Sequence, residues 1–162
     1  MRSRVGALRI GWGLWAGAAA GAAGTTALNV LGYLDMALRG RPASTTPEET
    51  VKALVRLLHW TIPGAAEAQP NRIVGVGALL GIAAGIGIGA LLGLLRSLGW
   101  RPGKAITTVV ATAGALIGTN GPMVALGVTN PLDWGVMGWI ADVVPHLGYG
   151  LVTAWVLCHL DG

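Results

Sequence analysis

The chain has 162 residues, of which 53% are apolar and only 11% charged, with a net charge of +4. A soluble domain carries about 25% charged residues, so most of this surface must meet something other than water. Its 27 glycines have no G-X-Y period, which excludes collagen; its hydrophobicity excludes a disordered chain; its single cysteine, Cys158, excludes an intrachain disulfide.

The first apolar stretch runs over 5–38. Met1-Arg2-Ser3-Arg4 ahead of apolar sequence is also how a secretory leader begins, with Ala-rich sequence at 18–23 as a cleavage site. Apolar character continues to Leu38, however, so a membrane span is expected. Three further stretches follow at 72–98, 104–128 and 142–160. Each is near or above the ~20 residues that carry a helix across ~30 Å of hydrocarbon. Backbone groups in lipid must bond within their own segment, and no stretch alternates as a barrel strand would. The expected fold class is therefore all-α: a polytopic membrane protein with four transmembrane helices, one domain over 1–162, and one or two short interfacial helices.

The first interfacial element is expected at 47–60. Thr46-Pro47-Glu48-Glu49 suits a helix start, with Thr46 as N-cap, Pro47 at the first position and Glu49 closing a capping box. Val51, Leu54, Val55 and Leu58 then recur at helical spacing as the apolar face of an amphipathic surface helix. A second short element, Trp134 to Ile140 after the turn Asn130-Pro131, precedes the last span. The order span, surface helix, span is thus laid out twice.

Basic residues set the expected topology. Arg2, Arg4 and Arg9 start the chain, and Arg96, Arg101 and Lys104 fill the short link between the second and third spans. The link before the fourth carries only Asp133 and Asp142. The positive-inside rule puts both termini in the cytoplasm. Arg39, Arg41, Lys52, Arg56 and Arg72, on the predicted outer side, oppose that placement. Most of the seven tryptophans fall near span ends, as an aromatic belt does.

Glycine recurs at every fourth position in the second span: Gly77, Gly81, Gly85, Gly89 and Gly93. Gly13, Gly17 and Gly21 do the same in the first. Small residues four apart let helix backbones meet in lipid, within one chain or between copies. Such a ridge winds around its helix and can serve two neighbours. Gly85-Ile86-Gly87-Ile88-Gly89 is no phosphate loop, because no strand precedes it and no Lys-Ser/Thr follows.

Two polar groups are candidate sites. Thr25, Asn29 and Tyr33 stand four apart late in the first span, and the third span offers Thr107, Thr108, Thr112, Thr119 and Asn120 as partners. Polar groups at this depth line a pathway or lock helices together. Asp142 and His146 share a helix face with Tyr149 adjacent, a spacing that suits proton transfer. The structural alternative makes Asp142 the N-cap of the last span and Pro145 part of its first turn. No metal, cofactor or nucleophile set can be assembled from His59, His146, His159 and the few serines.

The stretches Gly24-Thr25-Thr26-Ala27-Leu28-Asn29, Tyr33-Leu34-Asp35-Met36 and Arg39-Gly40-Arg41-Pro42 resemble small, functionally uncharacterised integral membrane proteins of actinobacteria. Pro145-His146-Leu147-Gly148-Tyr149-Gly150 is similar to the start of a late helix in them. The resemblance implies a bacterial inner membrane and brings no functional residues with it. The leading functional expectation is a structural or accessory subunit, packed against itself or a larger membrane complex, with lipid and no nucleic acid as partner. A small transporter or channel with a polar path between the first and third spans is the alternative. A lipid- or quinone-directed enzyme near Asp142, His146 and Tyr149 is a third.

Overall fold

The computed structural model describes residues 2–160, with side chains from Gly6 onward. The chain is all-helical: α1 Arg2–Arg39, α2 Thr46–Leu57, α3 Ala68–Ser97, α4 Lys104–Ala125, a 3-10 turn Pro131–Asp133, and α5 Val136–Leu160. Among the described residues, three helices are long and apolar enough to cross a membrane: α3, α4 and α5, with mean hydropathies of 2.3, 1.2 and 1.4. The longest, α1, is not among them, because its middle is built of Ala, Gly and Thr where α3 has Leu and Ile. Only 17% of the apolar window of α4 is buried within the protein. Ile106, Val109, Ile117 and Val124 on α4 are exposed, as are Val74, Leu79 and Ile82 on α3. Contiguous apolar surface of this kind does not suit contact with water.

α1 packs along α3 and α5, while α4 lies on α5 and, less extensively, on α3. The glycine ridges explain the first of these seams. Gly13 faces Gly93, Gly17 faces Gly89 and Gly93, and Gly21 faces Gly85 and Gly89, so α1 and α3 run antiparallel. A Cβ on Gly17 would lie 2.9 Å from both Ala90 Cα and Gly93 Cα, and one on Gly21 would lie 3.0 Å from Gly89 Cα. Backbone touches backbone here, and any side chain would hold the helices apart. The α3 ridge does serve two neighbours, since a Cβ on Gly77 would lie 3.1 Å from Pro47 Cβ of α2. Gly81 faces open space and is not a packing residue within this chain.

The other seams follow the same rule. On α5, Gly150 meets α4: its Cβ would lie 2.8 Å from Thr108 O and 3.0 Å from Thr112 N. Gly24 of α1 meets α5 at Tyr149, 2.8 Å from its Cδ2. Ala16, Ala20, Leu92, Ala111, Ala115, Tyr149 and Leu157 fill the centre. The four long helices therefore run up and down in sequence order.

Several expected boundaries shift. α5 begins at Val136, so the second surface element is its first turns rather than a separate helix, and Asp142 is not an N-cap. Pro145 lies inside α5, where its missing N–H leaves the Ala141 carbonyl without its helical donor. α3 starts at Ala68, with Pro70 tolerated in its first turn. α4 ends at Ala125, and Gly127 (φ 67°) turns the chain away.

The α2 capping box does not form. Thr45, not Thr46, is the N-cap and makes no side-chain cap bond. The Thr46 N–H reaches Ser44 Oγ at 3.3 Å, while Glu49 pairs with Lys52 at 2.7 Å. The buried face is Thr50, Val51 and Ala53, and Leu58 is exposed, because α2 is rotated to bring Pro47 onto Gly77.

Candidate functional site

The polar series on α1 does not stay together. Residues four apart advance 400° on a helix of 3.6 residues per turn, a drift of about 40° per step. Thr25 is buried against Gly85, and its hydroxyl donates to Gly21 O at 2.8 Å. Asn29 and Tyr33 have already turned outward and are exposed. α1 has at most grazing contact with α4. The expected path between the first and third spans is therefore not assembled, and Asn120 has its partner elsewhere.

Tyr149 is a structural plug. Its side chain is 1% exposed, and its hydroxyl reaches past α1 to donate to Gly85 O of α3 at 2.7 Å. The missing side chain of Gly24 makes room for the ring. Thr153, one turn on, donates to Ala20 O at 3.4 Å. Tyr149 thus joins α1, α3 and α5 and does not reach the Asp142–His146 pair.

That pair is brought onto α4 by the antiparallel seam. Asn120 Nδ2 donates to Asp142 Oδ2 at 2.8 Å, a charge-assisted bond when the carboxyl is ionised. His146 Nε2 lies 3.1 Å from Thr119 Oγ1, and Nδ1 lies 2.7 Å from Asp142 O and 3.5 Å from Asp142 Oδ1. A carbonyl cannot donate, so Nδ1 carries a hydrogen. Thr119 Oγ1 also sits 2.8 Å from Ala115 O. The proton count then has two solutions. When Nε2 is protonated it donates to Thr119, whose hydroxyl turns to Ala115 O. When Nε2 is bare, the same hydroxyl turns and donates to it. Rotation of one hydroxyl accommodates either state of His146 without moving a helix. The i, i+4 spacing of Asp142 and His146 made this pair findable. Thr119 and Asn120 could be found only as members of a polar set on the third span.

Beside this network lies a groove of about 350 Å³. Leu116, Ile117, Gly121 and Val124 of α4 form one wall, and Pro131, Trp134 and Trp139 form the other. Asn120 is its one polar lining residue. Trp134 is held by its Nε1–H on Thr129 Oγ1 at 2.9 Å and by an edge contact with Trp139, centroids 5.1 Å apart. No local pattern signals the groove, because its walls come from three elements and the tryptophans read as a belt.

No family of proteins, curated protein or solved structure matches this chain.

The two bundle ends differ in charge compensation. At one end Arg9 Nη2 reaches Ser97 O at 3.5 Å, Arg96 is buried with Nη1 on Pro102 O at 3.3 Å, and Arg101 and Lys104 are exposed. At the other, Arg39 and Arg41 both pair with Asp35, and Lys52 pairs with Glu49. Arg72 donates to Pro63 O.

Proposed function

We propose that this chain is a four-span integral membrane protein that acts by packing, as a structural or accessory component joined to copies of itself or to a larger membrane complex. The observation that carries the reading is the contrast between the seams and the outer surface. Gly17, Gly21, Gly89 and Gly93 bring α1 and α3 into backbone contact, and Gly24 and Gly150 do the same for α5, which leaves no room for a pore along those seams. Gly81 and Gly87 on α3 stay open, and α4 is largely uncovered. α1 counts as a span because it lies along α3 and α5 over its glycine and threonine positions. At 38 residues it is about 57 Å long, enough to cross ~30 Å and project beyond.

An inner bacterial membrane with cytoplasmic termini fits the resemblance to actinobacterial membrane proteins and the charge pattern. Of the conflicting basic residues in the first loop, Arg39, Arg41 and Lys52 pair with carboxylates, whereas Arg101 and Lys104 at the other end are exposed. The transporter alternative draws little support, since Asn29 and Tyr33 point away from Asn120.

The test is the mass of the detergent-solubilised protein by light scattering. A defined oligomer, or a stoichiometric copurifying membrane protein, is the expected result. A monodisperse monomer with nothing bound would overturn the packing reading.

A further inference from the structure

We propose that the chain inserts into the bilayer in both orientations and that its partner is a second, inverted copy held along α4. The inference rests on the four-span reading above and names the partner that reading leaves open.

Orientation comes from the basic residues. The up-and-down order of α1, α3, α4 and α5 gives the bundle a terminal end, where α1 starts and α5 finishes, and a loop end. Arg2, Arg4, Arg9, Arg96, Arg101 and Lys104 belong to the terminal end, and Arg39, Arg41, Lys52, Arg56 and Arg72 to the loop end. The contact of Arg9 with Ser97 O joins the start of α1 to the end of α3. The count is six against five and uses all eleven basic residues. Every one lies within about 20 residues of a span end, the range over which Lys and Arg steer insertion. A difference of one leaves little to choose between the two orientations. Pairing of Arg39, Arg41 and Lys52 with carboxylates tilts the choice towards cytoplasmic termini without fixing it, because acidic residues count weakly. In either orientation the two termini share a side.

The acidic residues select the partner. Asp35, Glu48, Glu49, Glu67, Asp133 and Asp142 belong to the loop end, and Asp161 follows α5 at the other. With histidine neutral, six basic residues and one acid leave the terminal end at +5, while five basic residues and six acids leave the loop end at −1. Packed helices lie about 8–10 Å apart, close to one Debye length at physiological salt. Parallel neighbours would set two strongly positive ends side by side, whereas inverted neighbours set each positive end beside a weakly negative one.

α4 supplies the surface. Ile106, Val109, Ala113, Ile117 and Val124 are exposed and fall within an arc of about 80° on a helix of 3.6 residues per turn. The opposite face, with Thr107, Ala111 and Ala115, is buried. A two-fold axis beside the middle of this stripe makes α4 its own antiparallel partner, the same patch meeting itself as isologous pairing requires. It also sets the exposed Arg101 and Lys104 of each copy at the end of the other that carries its exposed Asp133.

The experiment expresses the full chain in a bacterium with Cys158→Ala and one new cysteine, Ala43→Cys at the loop end or Gly103→Cys at the terminal end. Ala43 is exposed, and a Cβ on Gly103 meets nothing within 4 Å. A membrane-impermeant maleimide applied to spheroplasts should label about half of each, the split that a near-even charge count implies. Two charge variants then fix the orientation. Arg56→Gln with Gly103→Lys makes the count seven against four, and Lys104→Gln with Ala43→Lys and Ala66→Lys reverses it to five against seven. Each charge variant alone should run as a monomer in mild detergent, and the two coexpressed should form a dimer. With Cys158→Ala in both, Ala113→Cys in one and Ile117→Cys in the other, oxidation should join them.

Labelling of one site only would overturn the proposal while leaving the packing role intact. A dimer formed by either charge variant alone, or a coexpressed pair that stays monomeric, would also overturn it. A coexpressed dimer that oxidation does not join would overturn the α4 contact. A chain recovered in the soluble fraction without detergent would sink the four-span reading itself, and this proposal with it.

Discussion

Replacing Gly89 with alanine tests the seam on which the fold depends. The added Cβ would sit 2.5 Å from Gly21 Cα and 2.6 Å from Gly21 N, against an ordinary contact distance of 3.4 Å or more. Gly17 O lies nearer still, and all three obstacles are backbone, so α1 and α3 must part by about 0.9 Å. A gap of 0.5–1 Å forfeits a quarter to a half of each dispersion well. If the seam holds roughly 40 atom pairs at about 0.15 kcal/mol each, opening it costs about 1.5–3 kcal/mol. Alanine returns about 1 kcal/mol through helix propensity, for a net loss of about 0.5–2 kcal/mol. Gly81→Ala, which meets open space, has the propensity gain without the clash and should be neutral or stabilising by up to about 1 kcal/mol. Unfolding by denaturing detergent, followed by far-ultraviolet circular dichroism, would rank the two variants. If Gly89→Ala is as stable as Gly81→Ala, the helices do not meet at these glycines.

Tyr149→Phe keeps the plug and removes its bond to Gly85 O. The expected loss is about 0.6 kcal/mol, the usual size for a hydrogen bond between membrane helices, read in the same unfolding assay. His59 ends α2 with φ 53°, in a Schellman motif where His59 N reaches Arg56 O and Trp60 N reaches Val55 O. His59→Gly should relieve that left-handed backbone and stabilise by about 0.5–1 kcal/mol, after allowance for glycine's greater freedom when unfolded; slower amide exchange across α2 is the check. Reporter fusions at the two ends should fall on the same side of the membrane, and opposite sides would leave α1 outside it.

The long apolar runs announced α3, α4 and α5, since their Leu, Ile and Val content needs no partner to be recognised. The glycine spacing also announced an intimate seam, and Gly13, Gly17, Gly21, Gly85, Gly89 and Gly93 do meet there. Which residues of a ridge are used is a matter of rotation about the axis, and Gly81 was lost to that. The same rotation separated Thr25 from Asn29 and Tyr33. Asp142 looked like a cap because Pro145 follows it, yet α5 starts six residues earlier and carries the proline inside. The Thr119–His146 and Asn120–Asp142 contacts join residues more than 20 positions apart. They depend on the register between α4 and α5, which no local pattern encodes.

The thin middle of α1 has a bearing on assembly. In the four-span reading, α1 is made before its partner α3 and is also the span least able to hold itself in hydrocarbon, since alanine, glycine and threonine contribute little to partitioning compared with leucine or isoleucine. The more apolar α3 is synthesised only after α2 and its loops. Stable residence of α1 in the bilayer would then wait for α3 to arrive and dock along Gly13, Gly17 and Gly21, so that insertion and folding of this pair become a single event.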